Sequence, residues 1–300
     1  PNFDGHNFVA QAVDSGAAII VAASGRGDAV VAQYGERVTV IEVADPESAL
    51  ATVAQVWRAQ HDVIVVGLTG SSGKTTTKEF IAAVLASDGP TLATQGNLNN
   101  HLGVPLTLMR LRDEHRYAVI EMGMNAPGEI EFLASLAAPS IGVITTLGEA
   151  HTEGVGDLLG VARAKGELLR YLSAEAWAVY PSGVREEETL RSNVDCELTT
   201  IGSAETDFVQ ILDTKEGPGG AMAQIRLGTE GAALSLSLSG RHNVSNAALA
   251  LAVGAHLGIP FSSLISALES VQPPNMRGEI RHLPSGVEVV LDCYNANPQS

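Results

Sequence analysis

From Val63 onward the chain alternates short apolar, β-rich runs with helical stretches, and this alternation restricts its fold more than any other feature. The runs are "VIVVGL", "PTLAT", "YAVIEMG", "IGVITTL" and "AWAVYPS", and the helices between them are centred near 82, 106, 132, 165 and 190. Strands separated by helices imply parallel β-α-β units and an open twisted sheet. Beyond residue 207 the rhythm changes to "FVQILDT", "AMAQIRL" and "AALSLSLSG", where Leu234, Leu236 and Leu238 alternate with serines. That period of two predicts a half-exposed antiparallel ribbon. A long Ala/Leu helix follows over 243–257 and stops at Gly258 and Pro260, then "FSSLISALESV" reads as a helix and "VEVVLDCYN" as a last strand.

The segment before Val63 has its own character. Residues 1–44 hold two strand-like runs, "AAIIVAA" and "RVTVIEV", between glycine- and charge-rich turns. "DPESALATVAQVWRAQ" then opens a helix, with Asp45 as N-cap and Pro46 at the first helical position. The fold expected is α/β. It has a partial N-terminal α/β domain and linker helix over 1–60, and a central nucleotide-binding domain over 61–275. The start of a further domain occupies 276–300.

Composition narrows the partners. With 34 acidic against 18 basic residues the formal charge is −16, which argues against a nucleic-acid or anionic-membrane surface. The chain is 45% hydrophobic and 17% charged, enough apolar material for sizeable cores. No apolar run approaches the roughly 20 residues of a membrane helix, and no signal-peptide pattern is present. Cys196 and Cys293 lack metal-ligand spacing and read as free thiols of a reducing, cytoplasmic compartment.

The chemistry starts at "VIVVGLTGSSGKTTTKEF", residues 63–80. A strand, a glycine-rich turn and a helix N-terminus present backbone N–H groups to an anion. The common phosphate-loop pattern would place a glycine at position 68, where Leu68 stands; the glycines available are Gly67, Gly70 and Gly73. The cradle would comprise Thr69, Gly70, Ser71, Ser72, Gly73, Lys74, Thr75 and Thr76. Lys74 is expected to reach the β- and γ-phosphates of ATP, and the Thr75 hydroxyl to ligate Mg²⁺. Such loops need an acidic residue at the end of a neighbouring strand, and "YAVIEMG" offers Glu121. Read alone, Glu121 serves equally well as a structural residue.

A lysine stands on the wrong face of the next helix. In "DLLGVARAKGELLRYL", Leu158, Val161, Ala162, Leu169 and Leu172 share one face, and Lys165 sits in the middle of it. Such a lysine is either snorkelling or paired with a carboxylate. Otherwise desolvation leaves it a neutral amine able to take up CO₂ as a carbamate. Just upstream, "LGEAHTEG" places His151 and Glu153 after a strand.

Taken in order, "GLTGSSGKTTTKEF", "GNLNNHLGVPLTL", "EMGMN", "GEAHTEG", "ARAKGELL", "GRHNVSNAALA", "MRGE" and "DCYNANPQS" resemble the Mur ligase family over essentially the whole chain. "DCYNANP" and "GNLNN" favour its members that join D-alanyl-D-alanine to UDP-N-acetylmuramoyl-tripeptide. The resemblance implies an ATP-dependent, ADP-forming amide ligase working through an acyl phosphate in peptidoglycan precursor synthesis. By position, Lys74, Glu121, His151 and Lys165 would be catalytic, and Thr75, Glu121, His151 and Lys165 would serve two Mg²⁺ ions, with Lys165 carbamylated. Asn243 and Asn246 match adenine-binding positions, Arg277 and Asp292 match residues that reach phosphate and ribose, and Asn99, Asn100 and His151 would face the UDP-sugar peptide.

Members of the family have three domains. The resemblance therefore implies that the uridine-binding domain begins before "FDGHNF". It also implies that the C-terminal Rossmann-like domain is represented only by an opening strand at 286–292. On that basis these residues, expected to be monomeric, would bind nucleotide weakly and ligate little alone. Two rival readings stand beside this one. The first is another amide ligase of the same plan, such as a folylpolyglutamate synthase; the second is a non-catalytic nucleotide-binding protein that kept the loop.

Overall fold

A computed structural model describes residues 4–148, 156–217, 220–273, 279–283, 285–291 and 293. The chain begins with a small α/β unit. Helix α1 (Val9–Asp14), strand β1 (Ile19–Ala23), helix α2 (Gly27–Tyr34) and strand β2 (Thr39–Val43) follow in order, and β1 pairs with β2 in parallel. The sequence reading expected the two strands but not α1 and α2. Both helices are one or two turns long, too short to display a helical period. Val9, Val13, Ile20, Val30 and Val38 make the small core that holds this unit together. Asp4 and His6 close its start: Asp4 pairs with His6 and Arg26, and Ala23 N donates to His6 Nε2.

Helix α3 (Pro46–Ala59) leads to the large sheet, with Asp45 accepting from Glu47 N and Ser48 N as the N-cap. Its far end is tied down by Arg58. The guanidinium donates to Ala137 O (2.8 Å) and His61 O (3.0 Å), and burial pushes its pKa down from the usual value.

The large sheet and its helices run through β3 (Ile64–Thr69), α4 (Lys74–Ala86), β4 (Thr91–Ala93), α5 (Gly103–Leu108), β5 (Tyr117–Glu121), α6 (Glu129–Ala137), β6 (Ile141–Ile144), α7 (Leu158–Tyr171), β7 (Trp177–Pro181), α8 (Glu187–Arg191) and β8 (Glu197–Gly202). Strands β9 (Val209–Gly217), β10 (Gly220–Leu227) and β11 (Glu230–Leu236) precede helices α9 (Arg241–His256) and α10 (Phe261–Ser270). Among the described residues the sheet order is β11-β10-β9-β8-β7-β6-β3-β5-β4. Strands β3 to β8 all pair in parallel, as the alternation predicted. β8, "ELTTIG", was not anticipated; its threonines and partial burial hide it from a search for apolar runs.

The antiparallel ribbon is not a separate element. β9 joins β8 through Ile201 and Gly202, so the ribbon extends the parallel sheet at its edge. Leu234, Leu236 and Leu238 are buried, as their alternation requires. One face of the sheet is covered by α4, α9 and α10, whose apolar residues form one core with Val66, Leu68 and Val119. The other is covered by α3, α5, α6 and α7 against Val65, Ala118 and Ile120. Successive residues of β3 and β5 thus feed opposite cores, the signature of a sheet buried on both faces.

At the far end, β12 (Glu279–His282) and β13 (Glu288–Leu291) form an antiparallel pair. The sequence reading expected one opening strand there. The intervening "LPSG" is a turn signal that makes it a hairpin.

Candidate active site

Strands β6, β3 and β5 lie side by side, and their carboxyl ends carry the candidate site residues. The chain passes from β5 to β6 across β3, so this edge is a switch point, where open α/β sheets bind ligands.

The loop after β3 is held from both sides. Gly73 caps α4 with φ +79°, a left-handed conformation that glycine adopts without a Cβ penalty. A Cβ there would stand 2.6 Å from Asn246 Oδ1. At Gly70 a Cβ would fall 1.9 Å from Thr145 Oγ1, so the loop and the turn after β6 are in contact through this glycine. Thr145 Oγ1 donates to Ser72 O (2.5 Å), Ser72 N donates to Thr146 Oγ1 (3.0 Å), and Ser71 N donates to Thr146 O (3.0 Å). Ser71 Oγ donates to Gly148 O (2.9 Å) and lies 3.0 Å from Gly148 N. Lys74 Nζ donates across the loop to Gly70 O (2.9 Å). Thr75 and Thr76 stand in the first turn of α4, and Thr69 at the end of β3 is buried with its hydroxyl unpaired among the described residues.

Glu121 ends β5 in register with Leu68, on the sheet face that α4 covers. It is 2% exposed, and its Oε1 accepts from Asn99 Nδ2 (2.8 Å). Its Oε2 is buried without a hydrogen-bond partner among the described residues. A buried polar atom left unmatched costs about 1–3 kcal/mol, more for a charged group. A bound cation would remove that cost, so the carboxylate fits a metal. No cluster of three His, Cys, Asp or Glu suited to a metal occurs among the described residues. Glu121 and the Thr75 hydroxyl would then share the ion with nucleotide phosphates, the mode Mg²⁺ favours.

Lys165, in the middle of α7, is 1% exposed among Val161, Ala162, Leu168 and Leu169. Burial first, and then the charge of Lys74, lower its pKa from 10.5 to about 7, with Glu167 partly countering them. Between those two values the unfolded chain holds a proton that the folded chain has shed, so folding stability rises with pH across that window. Below it the burial penalty is full; above it the penalty is gone. In CO₂-free buffer, the wild-type chain should gain about 2–4 kcal/mol of unfolding free energy relative to Lys165→Met between about pH 7 and about pH 10. Parallel pH profiles in urea unfolding would contradict a depressed Lys165.

The asparagines divide. Asn243 and Asn246 begin α9 and are buried; Asn243 Nδ2 donates to Ser239 O (2.7 Å), and Asn246 Nδ2 donates to Asn243 Oδ1 (3.1 Å). Asn246 borders the phosphate loop at Gly73. Of the two expected to face a substrate, Asn99 is bonded to Glu121. Asn100 Oδ1 accepts from Leu102 N and Gly103 N at the start of α5. His151, Glu153, Arg277 and Asp292 lie outside the described residues. Sequence reasoning missed Thr145 and Thr146, which lock the loop. Their signal was a threonine pair at the carboxyl end of "IGVITTL", adjacent to the loop only once β6 is known to neighbour β3.

The comparisons with known proteins identify the family of this fold. A family model described as the Mur ligase middle domain matches residues 68–254. The UDP-N-acetylmuramoyl-tripeptide–D-alanyl-D-alanine ligase of Bacillus subtilis is 36% identical over 99% of this chain and 63% of its own length. The crystal structure of MurF from Acinetobacter baumannii superposes with TM-score 0.90 at 34% identity, over 100% of this chain and 64% of that one. MurF of Thermotoga maritima, solved in complex with ADP, gives TM-score 0.83 at 28% identity, over 99% and 67%. The chain thus spans somewhat less than two thirds of the B. subtilis relative. With the family model covering the loop, Glu121, Lys165 and the α9 asparagines alike, the chain belongs to the Mur ligase family.

Proposed function

We propose that this chain is the ATP-binding core of a ligase that joins D-alanyl-D-alanine to UDP-N-acetylmuramoyl-tripeptide, releasing ADP and phosphate, in cytoplasmic peptidoglycan precursor synthesis. The observation that carries the reading is Glu121, a buried carboxylate with one oxygen unmatched among the described residues, set beside a phosphate loop at the sheet's switch point. The choice of substrates leans on the names of the relatives. Domain limits near residues 60 and 275 belong to the same reading.

A carboxylate does not condense with an amine at neutral pH, because its oxygen is a poor leaving group. In the proposed reaction an oxygen of the tripeptide's terminal carboxylate attacks the γ-phosphorus, and the bond to the ADP oxygen breaks. The amine of D-alanyl-D-alanine then attacks the acyl carbon, phosphate leaves with the bridging oxygen, and the amine loses a proton. Lys74 and the loop N–H groups stabilise charge on the transferring phosphoryl group. Thr75 and Glu121 would hold Mg²⁺, which when bound neutralises phosphoryl oxygens. The neutral Lys165 amine can add to CO₂ with loss of a proton, and the resulting carbamate would supply a further anionic ligand. Asn243 and Asn246 would border the nucleotide, and Asn99 and Asn100 the loop nearest the UDP-sugar peptide.

A phosphate-release assay on the full-length protein tests the assignment. Release should require UDP-N-acetylmuramoyl-tripeptide and D-alanyl-D-alanine together, and folate with glutamate should not support it. ATP binding without release under any substrate pair would overturn it.

A further inference from the structure

A second lysine lies one helical turn beyond Lys74 and has no part in the chemistry above. Lys78, in α4, is 1% exposed, and its Nζ donates to Thr94 O (2.7 Å) and pairs with Glu79 Oε1 (2.8 Å). Burying an ammonium group costs several kcal/mol unless good partners offset it, and an apolar side chain of similar volume is often at least as stabilising. A directional tie at this point therefore calls for a reason other than stability.

Thr94 supplies one. It follows β4, is 2% exposed, and its Oγ1 accepts from Glu121 N (3.0 Å). Further along the same segment, Asn99 Nδ2 donates to Glu121 Oε1, while Asn99 O accepts from Gly123 N (2.8 Å). The stretch from Thr94 to Asn99 thus holds Glu121 by its backbone and by its side chain. Lys78 fastens the start of that stretch to the helix that carries Lys74 and Thr75.

We propose that Lys78 and Thr94 are positioning residues: they fix Glu121 relative to the phosphate loop so that its unmatched Oε2 meets a divalent cation held with the nucleotide phosphates. This rests on the reading of Glu121 as a cation ligand. The tie acts on the backbone of Glu121, so its loss shifts the carboxylate without removing it.

Calorimetric titration of the full chain with a non-hydrolysable ATP analogue, with and without Mg²⁺, tests the proposal. Thr94→Val keeps the volume and removes the acceptor for Glu121 N, whereas Thr94→Ser retains it. Thr94→Val and Lys78→Met should lose about tenfold of the Mg²⁺-dependent gain in affinity, with Mg²⁺-free affinity unchanged within about twofold; Thr94→Ser should restore the gain. If Lys78→Met fails to fold, the Thr94 pair decides. A lowered melting temperature in Thr94→Val with the Mg²⁺ gain intact overturns the proposal and leaves both residues structural. Glu121→Gln separates the two layers. Loss of the gain there, but not in Thr94→Val, sinks the positioning role alone. An intact gain in Glu121→Gln sinks the reading of Glu121 itself, and the positioning role with it.

Discussion

Gly70→Ala should weaken ATP binding by about a hundredfold or more, because two or more loop donors are lost at about 1.5–3 kcal/mol each. The added Cβ would stand 1.9 Å from Thr145 Oγ1, 3.0 Å from the backbone nitrogen of Thr146 and 3.1 Å from Thr145 Cβ, so rotating the Thr145 side chain moves Oγ1 but not the other two atoms. Thr145 Oγ1 makes the shorter of two hydrogen bonds to Ser72 O, the other coming from Thr146 Oγ1, so displacing it loosens the loop that presents the N–H groups. Gly231→Ala provides the control: its Cβ would meet only Ile225 O, at an ordinary 3.7 Å. Nucleotide titration of both variants checks the result. Equal affinities would mean that the contact between the loop and the turn after β6 is unimportant for binding.

Lys165→Met should reduce ligation by about a thousandfold or more while the folded chain becomes more stable near neutral pH. The two effects have one cause. A lysine at 1% exposure, with its pKa pulled to about 7, is poorly suited to packing and well suited to act as an uncharged amine. Methionine fills similar space without the charge. Lys165→Arg should not rescue activity, since a guanidinium does not deprotonate and cannot take up CO₂. Turnover and urea unfolding measured on the same preparations separate the effects; lower stability with unchanged turnover would make Lys165 a packing residue.

What the sequence disclosed was local, and what it withheld was spatial. The phosphate loop was legible because strand, glycine turn and helix are contiguous, and the misfit at Leu68 did not obscure them. Lys165 was legible because one charge among Val161, Ala162 and Leu169 violates a helical period. Thr145, Thr146, Lys78 and Thr94 were not, because each acts on a residue far along the chain. Only the order β6-β3-β5-β4 brings those partners together. Asn99 shows the same limit: an asparagine in a turn offers no sign that its amide will orient Glu121. The ribbon was read correctly as antiparallel, yet its fusion to β8 depends on two residue pairs that no periodicity records.

The most direct test of the proposed chemistry follows one oxygen atom. UDP-N-acetylmuramoyl-tripeptide labelled with heavy oxygen in its terminal carboxylate is turned over by the full-length protein with ATP and D-alanyl-D-alanine. An acyl-phosphate route predicts that one labelled oxygen appears in the released phosphate, and none in ADP. Ligation with unlabelled phosphate would contradict it.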